Sequence, residues 1–391
     1  MPLSNRITAV RGTGSDGWEI YYDARDLIAA GVAVLNLTIG EHDIRTHPRI
    51  LEAMHASALA GNTGYAFGPG KQELRRAVAA RVQARTGVVT SWRNVIITPG
   101  GQSGLFSSHM VLLDAGDKAL HCDPYYATYP GTIRATGAVP VAVPTRPEQA
   151  FEPRAADIAD RAAGAKTLLI NSPNNPTGVV YSRETLQGIA DVVQEKRLWL
   201  ISDEVYDTQV WSGTHQSPRA LPGMAERTLV VGSMSKSHAM TGSRLGWVVG
   251  PEPVIDAITL LATNTTYGVP AYIQDAALFA LAEGEAFEAE IAAPFRRRRQ
   301  IGQDILARQN VLRPVPSSGA MYLMLDVRGT GMDGIRFASA LLASERIAVM
   351  PGESFGASSA GHIRVAMTIA DAGFAEALTR LTAFAARCAK S

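Results

Sequence analysis

Between residues 95 and 250 the chain alternates short apolar runs with helical patterns, and no other feature restricts the fold as much. The runs Val95–Thr98, Ala119–Cys122, Pro140–Val143, Thr167–Asn171, Leu198–Ser202, Leu229–Gly232 and Leu245–Val249 are short and rich in branched residues. Several are apolar nearly throughout, as expected of strands covered on both faces. Between two of them, Glu184–Arg197 carries Leu186, Ile189, Ala190 and Val193 on one helical face, with Ser182 as N-cap and Glu184 in the first turn. The pattern predicts an α/β fold: a mostly parallel seven-stranded sheet flanked by helices. Ligands of such sheets sit beyond the carboxyl ends of the strands, so residues just after each run are the ones to inspect.

After about residue 250 the texture changes. Helical segments Ala271–Glu283 and Ala286–Gln309 lead into shorter, alternating strands around Ala320–Asp326 and His362–Met367. This suggests a smaller α+β unit, to which the residues before about 46 also belong or from which they reach a partner. The expected division is a large unit over 46–284 and a small one built from 1–45 and 285–391.

Charge and composition exclude several function classes. With 37 basic against 36 acidic side chains, the net charge of +1 leaves no footprint for nucleic acid or an anionic membrane. A 46% hydrophobic content is that of a globular chain with a sizeable core. Cys122 and Cys388 lack metal-ligand spacing, and such low cysteine use fits a reducing compartment. No apolar run follows Met1–Arg6 and no stretch approaches the ~20 residues of a membrane span, so a cytoplasmic location is expected. The basic run Arg296–Arg299 reads as a solvated helix face. Gly12 and Gly14 resemble part of a dinucleotide fingerprint, but they follow no strand and lack the third glycine.

The chemistry is concentrated in Ser233-Met-Ser-Lys236-Ser-His-Ala-Met-Thr-Gly242-Ser-Arg244-Leu-Gly246-Trp247, directly after the run Thr228–Val231. Most lysines are surface residues. This one stands at a strand end, with hydroxyls one and three positions before it and an arginine eight after. A lysine whose pKa is lowered serves as a Schiff-base nucleophile, and a nearby phosphate needs hydroxyl and guanidinium donors. The segment resembles the lysine signature of class I/II aminotransferases, the aspartate aminotransferase-like pyridoxal 5′-phosphate enzymes of fold type I. The resemblance implies that Lys236 forms the internal aldimine and that Ser233 and Arg244 hold the phosphate, with Ser235 serving either the phosphate or only the local turn.

Other strand ends carry matching motifs in the same order. Thr98-Pro99-Gly100-Gly101-Gln102 opens a helix, where backbone N–H groups can meet a phosphate; the resemblance assigns Gly101 and Gln102 to it. In Asp123-Pro124-Tyr125-Tyr126 it selects Tyr126 to stack on the cofactor ring. Asn171-Ser-Pro-Asn-Asn175-Pro-Thr-Gly178 matches the family's Asn-Pro-Thr-Gly turn and puts Asn175 on the phenolic oxygen. In Ser202-Asp203-Glu204-Val205-Tyr206 either carboxylate could face the pyridine nitrogen on spacing alone; the family register favours Asp203, with Tyr206 a second donor to the phenolic oxygen. Arg364, in His362-Ile363-Arg364-Val365-Ala366, matches the arginine that clamps the substrate α-carboxylate, a task suited to its planar fork. Gly40 matches a backbone donor to the same carboxylate. Tyr65 matches a tyrosine reaching the neighbouring subunit's phosphate, which implies a homodimer.

The resemblance covers about residues 35 to 370. It departs at His42, where the family often has proline, and at Gly268-Val269-Pro270 in the partner-facing loop. His42 belongs to a local loop or faces the substrate entrance. The expected activity is a pyridoxal 5′-phosphate-dependent amino-group transfer between an L-amino acid and a 2-oxo acid, with ping-pong kinetics. Another reaction of the same cofactor and fold, such as a β-lyase, decarboxylase or synthase, is the rival. A non-catalytic regulator is more remote, since the stretch before the first motif has no room for a helix-turn-helix domain. Substrate identity stays open: Tyr65, Tyr126 and Tyr267 would suit an apolar or aromatic side chain, and no second arginine can be assigned to a side-chain carboxylate.

Overall fold

The structure, a computed structural model, describes residues 3–10, 17–66 and 68–390. Gly12 and Gly14 lie outside the described residues. In chain order the strands are β1 (Leu35–Leu37), β2 (Val95–Thr98), β3 (Lys118–Asp123), β4 (Val139–Pro144), β5 (Ala165–Asn171), β6 (Trp199–Asp203), β7 (Thr228–Ser233), β8 (Gly246–Val249), β9 (Arg313–Pro314), β10 (Tyr322–Asp326), β11 (Ile347–Pro351) and β12 (His362–Ala366). Seven of them form one sheet in the order β2-β8-β7-β6-β5-β3-β4. β4, β3, β5, β6 and β7 run parallel, whereas β8 is antiparallel to both β7 and β2. All seven expected runs are strands of this sheet, which is the α/β architecture read from the alternation.

Successive residues of one strand point to opposite faces, and here both faces are covered. Leu168 and Leu200 pack with Leu186, Ile189 and Val193 of the helix Arg183–Glu195. Their neighbours Leu169 and Ile201 pack on the other face with Leu105, Ile255 and Ile258. Burying a side chain of this size contributes roughly 1.5–3 kcal/mol, so both faces of the central strands favour apolar residues and the alternation is lost, small buried hydroxyls such as Thr167 and Ser202 apart. Ser182 caps the helix as expected, its Oγ accepting from the Thr185 N–H at 3.2 Å.

The smaller sheet has the order β1-β11-β12-β10-β9, with β1 parallel to β11 and the other pairs antiparallel. Its core joins Leu37, Leu323, Val349 and Val365 to Phe337, Phe374 and Leu381 of flanking helices. β11 escaped the sequence reading although all five of its residues are buried. The helix Gly284–Leu306 serves both cores: Phe287 and Ile291 pack with the large sheet, Phe295 and Leu306 with the small one. Near the N-terminus, Arg134 Nη2 donates to the Val10 carbonyl at 2.9 Å, tying the helix Asn5–Val10 to the helix Tyr129–Ala135.

The expectation of a solvated face for Arg296–Arg299 needs correction. Arg296 and Arg297 are exposed, but Arg298 is only 3% exposed. Its guanidinium bonds Asp43 at 2.7 and 2.8 Å and Asp371 at 2.8 Å. A helix that crosses between two cores turns part of every face inward, so one member of the run became an internal clamp.

Candidate active site

β5, β6 and β7 end side by side, and their carboxyl-end residues line one cavity of about 290 Å³ together with the helix Gly100–Leu112 and the small sheet. Gly40, Gly101, Gln102, Tyr126, Asn175, Asp203, Tyr206, Ser233, Lys236, Arg244 and Arg364 all border it. Tyr65 does not: it is 93% exposed and lies 5.2 Å from the Tyr267 ring.

Lys236 follows β7 in a one-turn helix, and its Nζ donates to the Gly40 carbonyl. Burial lowers its pKa to about 8, and Arg364 and Arg244 push the same way against the opposing pull of Glu41. Asp203, the last residue of β6, is 4% exposed. Its Oδ2 accepts from the Tyr129 hydroxyl at 2.6 Å. Burial raises the Asp203 carboxyl to about 6, while the Tyr129 hydroxyl and the Val205 N–H hold it down. Glu204 turns the other way, accepting from Ser217 Oγ at 2.7 Å and meeting His215 Nε2 at 3.0 Å.

One end of the cavity is built for an anion. Pro99 precedes the helix Gly100–Leu112, whose first N–H groups have no partner within the helix. The Arg244 guanidinium lies over Gly100, where a Cβ would come within 2.3 Å of Nη2; Gly100 has φ +80°, so only glycine fits on both counts. Arg244 Nη1 is fixed by the Thr241 carbonyl at 2.9 Å. At Gly246 a Cβ would stand 2.7 Å from Gly100 C, Gly101 N and the Gly232 carbonyl, so three backbones meet at a position without a side chain. Ser233 Oγ accepts from the Ser235 N–H at 3.1 Å and donates to the Leu245 carbonyl at 3.2 Å. Gln102 accepts from Thr128 Oγ1 at 3.0 Å.

The opposite end holds Arg364, from β12 of the small sheet. Its guanidinium is sandwiched between Phe355 and Tyr322, with ring centroids 4.4 and 4.5 Å from Cζ. Nη1 donates to Asn175 Oδ1 at 2.9 Å and Nη2 to the Thr38 carbonyl, while among the described residues the buried Nε has no partner. His42 is outside the cavity lining; it packs edge-on to Phe295, centroids 5.0 Å apart, with both ring nitrogens buried. Burial lowers its pKa to about 3. Tyr322 and Tyr129 were not anticipated from the sequence, and neither were the cavity residues Trp18 and Phe355.

A cationic end at a helix start, a buried carboxylate, a lysine of lowered pKa and a buried arginine thus face one cavity, a combination suited to anionic ligands and to chemistry at an amine. The family profile described as aminotransferase class I and II matches residues 32–381, and the chain belongs to that family. It is an aminotransferase. It is 39% identical over 390 residues to the arginine–pyruvate transaminase of Pseudomonas aeruginosa, covering 99% of this chain and 98% of that one. The aspartate/prephenate aminotransferase of Thermus thermophilus is 35% identical over 384 residues, with 97% of each chain covered. Among solved structures, aspartate aminotransferase from Thermotoga maritima superposes with a TM-score of 0.92 at 31% identity, covering 98% of this chain and 99% of that one.

Proposed function

We propose that the chain transfers amino groups with pyridoxal 5′-phosphate held in this cavity, between an amino acid and a 2-oxo acid in two half-reactions. The observation that carries the reading is the convergence of Lys236, Asp203, Arg244 and Arg364 on one cavity. The residues present fit the group. The helix start at Gly101 and Gln102, with Ser233 and Arg244, would hold its phosphate. Asp203 would face the ring nitrogen, Asn175 and Tyr206 the phenolic oxygen, and Tyr126 the ring. When bound, the group supplies an electron sink for the charge left at the substrate Cα.

The chain's own residues do the rest. Arg364 binds the substrate carboxylate, its unpartnered Nε providing a donor and its flanking rings fixing the plane of the fork. Gly40, whose carbonyl receives Lys236, borders the same cavity and supports that carboxylate. Lys236, with a pKa lowered to about 8, carries an appreciable unprotonated fraction near neutrality, first as nucleophile and then as the base that takes the Cα proton onto Nζ and returns it. Asp203, oriented by the Tyr129 hydroxyl, would keep the ring nitrogen protonated when the group is bound. One site serving two half-reactions predicts ping-pong kinetics.

We read the active form as a cytoplasmic homodimer in which Tyr65 reaches the other subunit's phosphate, and we take 46–284 as the large unit and 1–45 with 285–391 as the small one. The exposed Tyr65–Tyr267 pair supports a shared interface, and the distinct clusters beneath the two sheets support the division, although the helix Gly284–Leu306 contributes to both. Among the described residues no helix is long and apolar enough to cross a membrane. The test is Lys236→Ala in protein reconstituted with pyridoxal 5′-phosphate. Turnover falls by at least about 10⁴-fold and the pH-dependent visible absorbance is lost. Activity retained at the wild-type level overturns the reading.

A further inference from the structure

Tyr322, the first residue of β10, touches four residues to which roles have just been given, although beyond the ring's packing on Arg364 it has none itself. Its hydroxyl is 2.9 Å from the Tyr206 hydroxyl and accepts from Asn175 Nδ2 at 3.4 Å. Its ring lies 4.5 Å from Arg364 Cζ. Gly40 makes room for it, since a Cβ there would come within 1.8 Å of the hydroxyl oxygen. The residue is 2% exposed, so this contact set is not shared with solvent.

Either hydroxyl of the Tyr206–Tyr322 pair can donate to the other, and the Asn175 contact favours Tyr322 as the donor. The Asn175 amide nitrogen only donates, so Tyr322 Oη takes that proton and has its own to give. The neighbouring acceptor is Tyr206 Oη. Once Tyr206 accepts from Tyr322, its own proton is directed elsewhere, and the cavity lies beside it. Burial, with Tyr322 beside it, raises the Tyr206 pKa well above its ordinary value, so this proton stays on the ring oxygen throughout the working pH range.

We propose that Tyr322 is a positioning residue that aims the Tyr206 proton into the cavity by donating to its oxygen, while its ring fixes the plane of the Arg364 fork. One small-sheet residue thereby joins the carboxylate clamp to the two donors for the phenolic oxygen. The inference rests on the cofactor reading above. A donor aimed at an oxygen is worth more when that oxygen is anionic, so losing the aim favours the protonated form of the site and moves its titration to higher pH.

The experiment compares wild type, Tyr322→Phe, Tyr206→Phe and the double variant, each reconstituted with pyridoxal 5′-phosphate, by pH titration of the visible absorbance and by steady-state kinetics. Tyr206→Phe raises the titration midpoint. Tyr322→Phe raises it by less, about 0.5 pH unit, and the double variant matches Tyr206→Phe alone because one hydroxyl acts through the other. The phenylalanine ring keeps Arg364 in place, so KM for the amino acid stays within about twofold while kcat falls about tenfold. An unmoved midpoint, a midpoint moved to lower pH (Tyr206 then being the donor), an additive double variant, or a raised KM with unchanged kcat each overturns the proposal. A wild type with no pH-dependent absorbance, or one whose absorbance survives Lys236→Ala, sinks the cofactor reading instead, and this inference with it.

Discussion

Two groups of charges lie buried around β6 and β7, facing away from each other. Toward the helix Gln72–Thr86, Arg81 bonds Asp207 at 2.6 Å and Glu288 at 2.8 Å, and Arg85 bonds the same two carboxylates. Burial pushes the Asp207 carboxyl up, but Arg81 and Arg85 outweigh it and hold it well below the usual carboxylate range. Every charge there has an opposite charge in contact. On the cavity side, Lys236 meets only a carbonyl, Asp203 a hydroxyl and an N–H, and Arg364 leaves Nε bare. Their pKa values move toward the neutral form: Lys236 and Arg364 down, Asp203 up, chiefly through burial. Asp203 and Asp207 stand four residues apart, so burial alone does not mark a functional carboxylate. What distinguishes the two is whether the protein itself completes the pair.

That contrast can be broken by experiment, beginning where the effect should be largest. Arg81→Ala leaves Asp207 and Glu288 to share Arg85 alone and should cost about 2 kcal/mol of stability, read as a lowered Tm, with kcat/KM of the folded enzyme within about twofold of wild type. A large kinetic defect with unchanged Tm would erase the distinction. Arg364→Lys keeps the charge but loses the fork, and should lower kcat/KM roughly 100-fold with little change in Tm. Asp203→Asn tests the carboxylate in cofactor-free protein. The folded-state pKa of about 6 lies above the ordinary 3.8, so folded protein binds the proton more tightly. Stability from this group is therefore lost as pH rises between about 4 and 6, and the variant should be more stable at pH 7.5 by on the order of 2 kcal/mol. The gap should close near pH 4, and a variant no more stable than wild type at neutral pH would contradict an uncompensated charge. The subtlest effect is on Lys236 acylation in the cofactor-free protein, whose rate should rise with a midpoint about pH 8 rather than 10.5; a midpoint near the latter would mean that the amine is not desolvated.

The large sheet was legible because strands covered on both sides are mostly apolar, with few buried polar exceptions such as His121 and Ser202, and all seven runs stand out. The smaller sheet was less so. β1 has three residues and β9 two, too short for any period to register. Lys236, Asp203, Asn175 and Arg244, which border the cavity, were expected there because each sits in a local motif next to a strand. Tyr322 and Tyr129 were not. Tyr322 reaches Asn175 and Tyr206 across 147 and 116 residues, and Tyr129 reaches Asp203 across 74. An ordinary aromatic residue becomes part of a site only when the topology delivers it. The basic run failed for a related reason: Arg298 finds Asp43 at a separation of 255 residues, where helix-face arithmetic has no reach.

Gly246 opens β8, the last strand of the large sheet in chain order, which slots between the first, β2, and β7. The three backbones that meet there include the turn at Gly100 and Gly101 and the strand leading into Lys236. The anion cup is thus finished by a late arrival. A ribosome-bound chain ending short of residue 250 has its first strand without a neighbour and Arg244 without a place to stand. The cationic end of the cavity is therefore complete only after translation has passed this point, well after the strands β5 and β6 that line its other side.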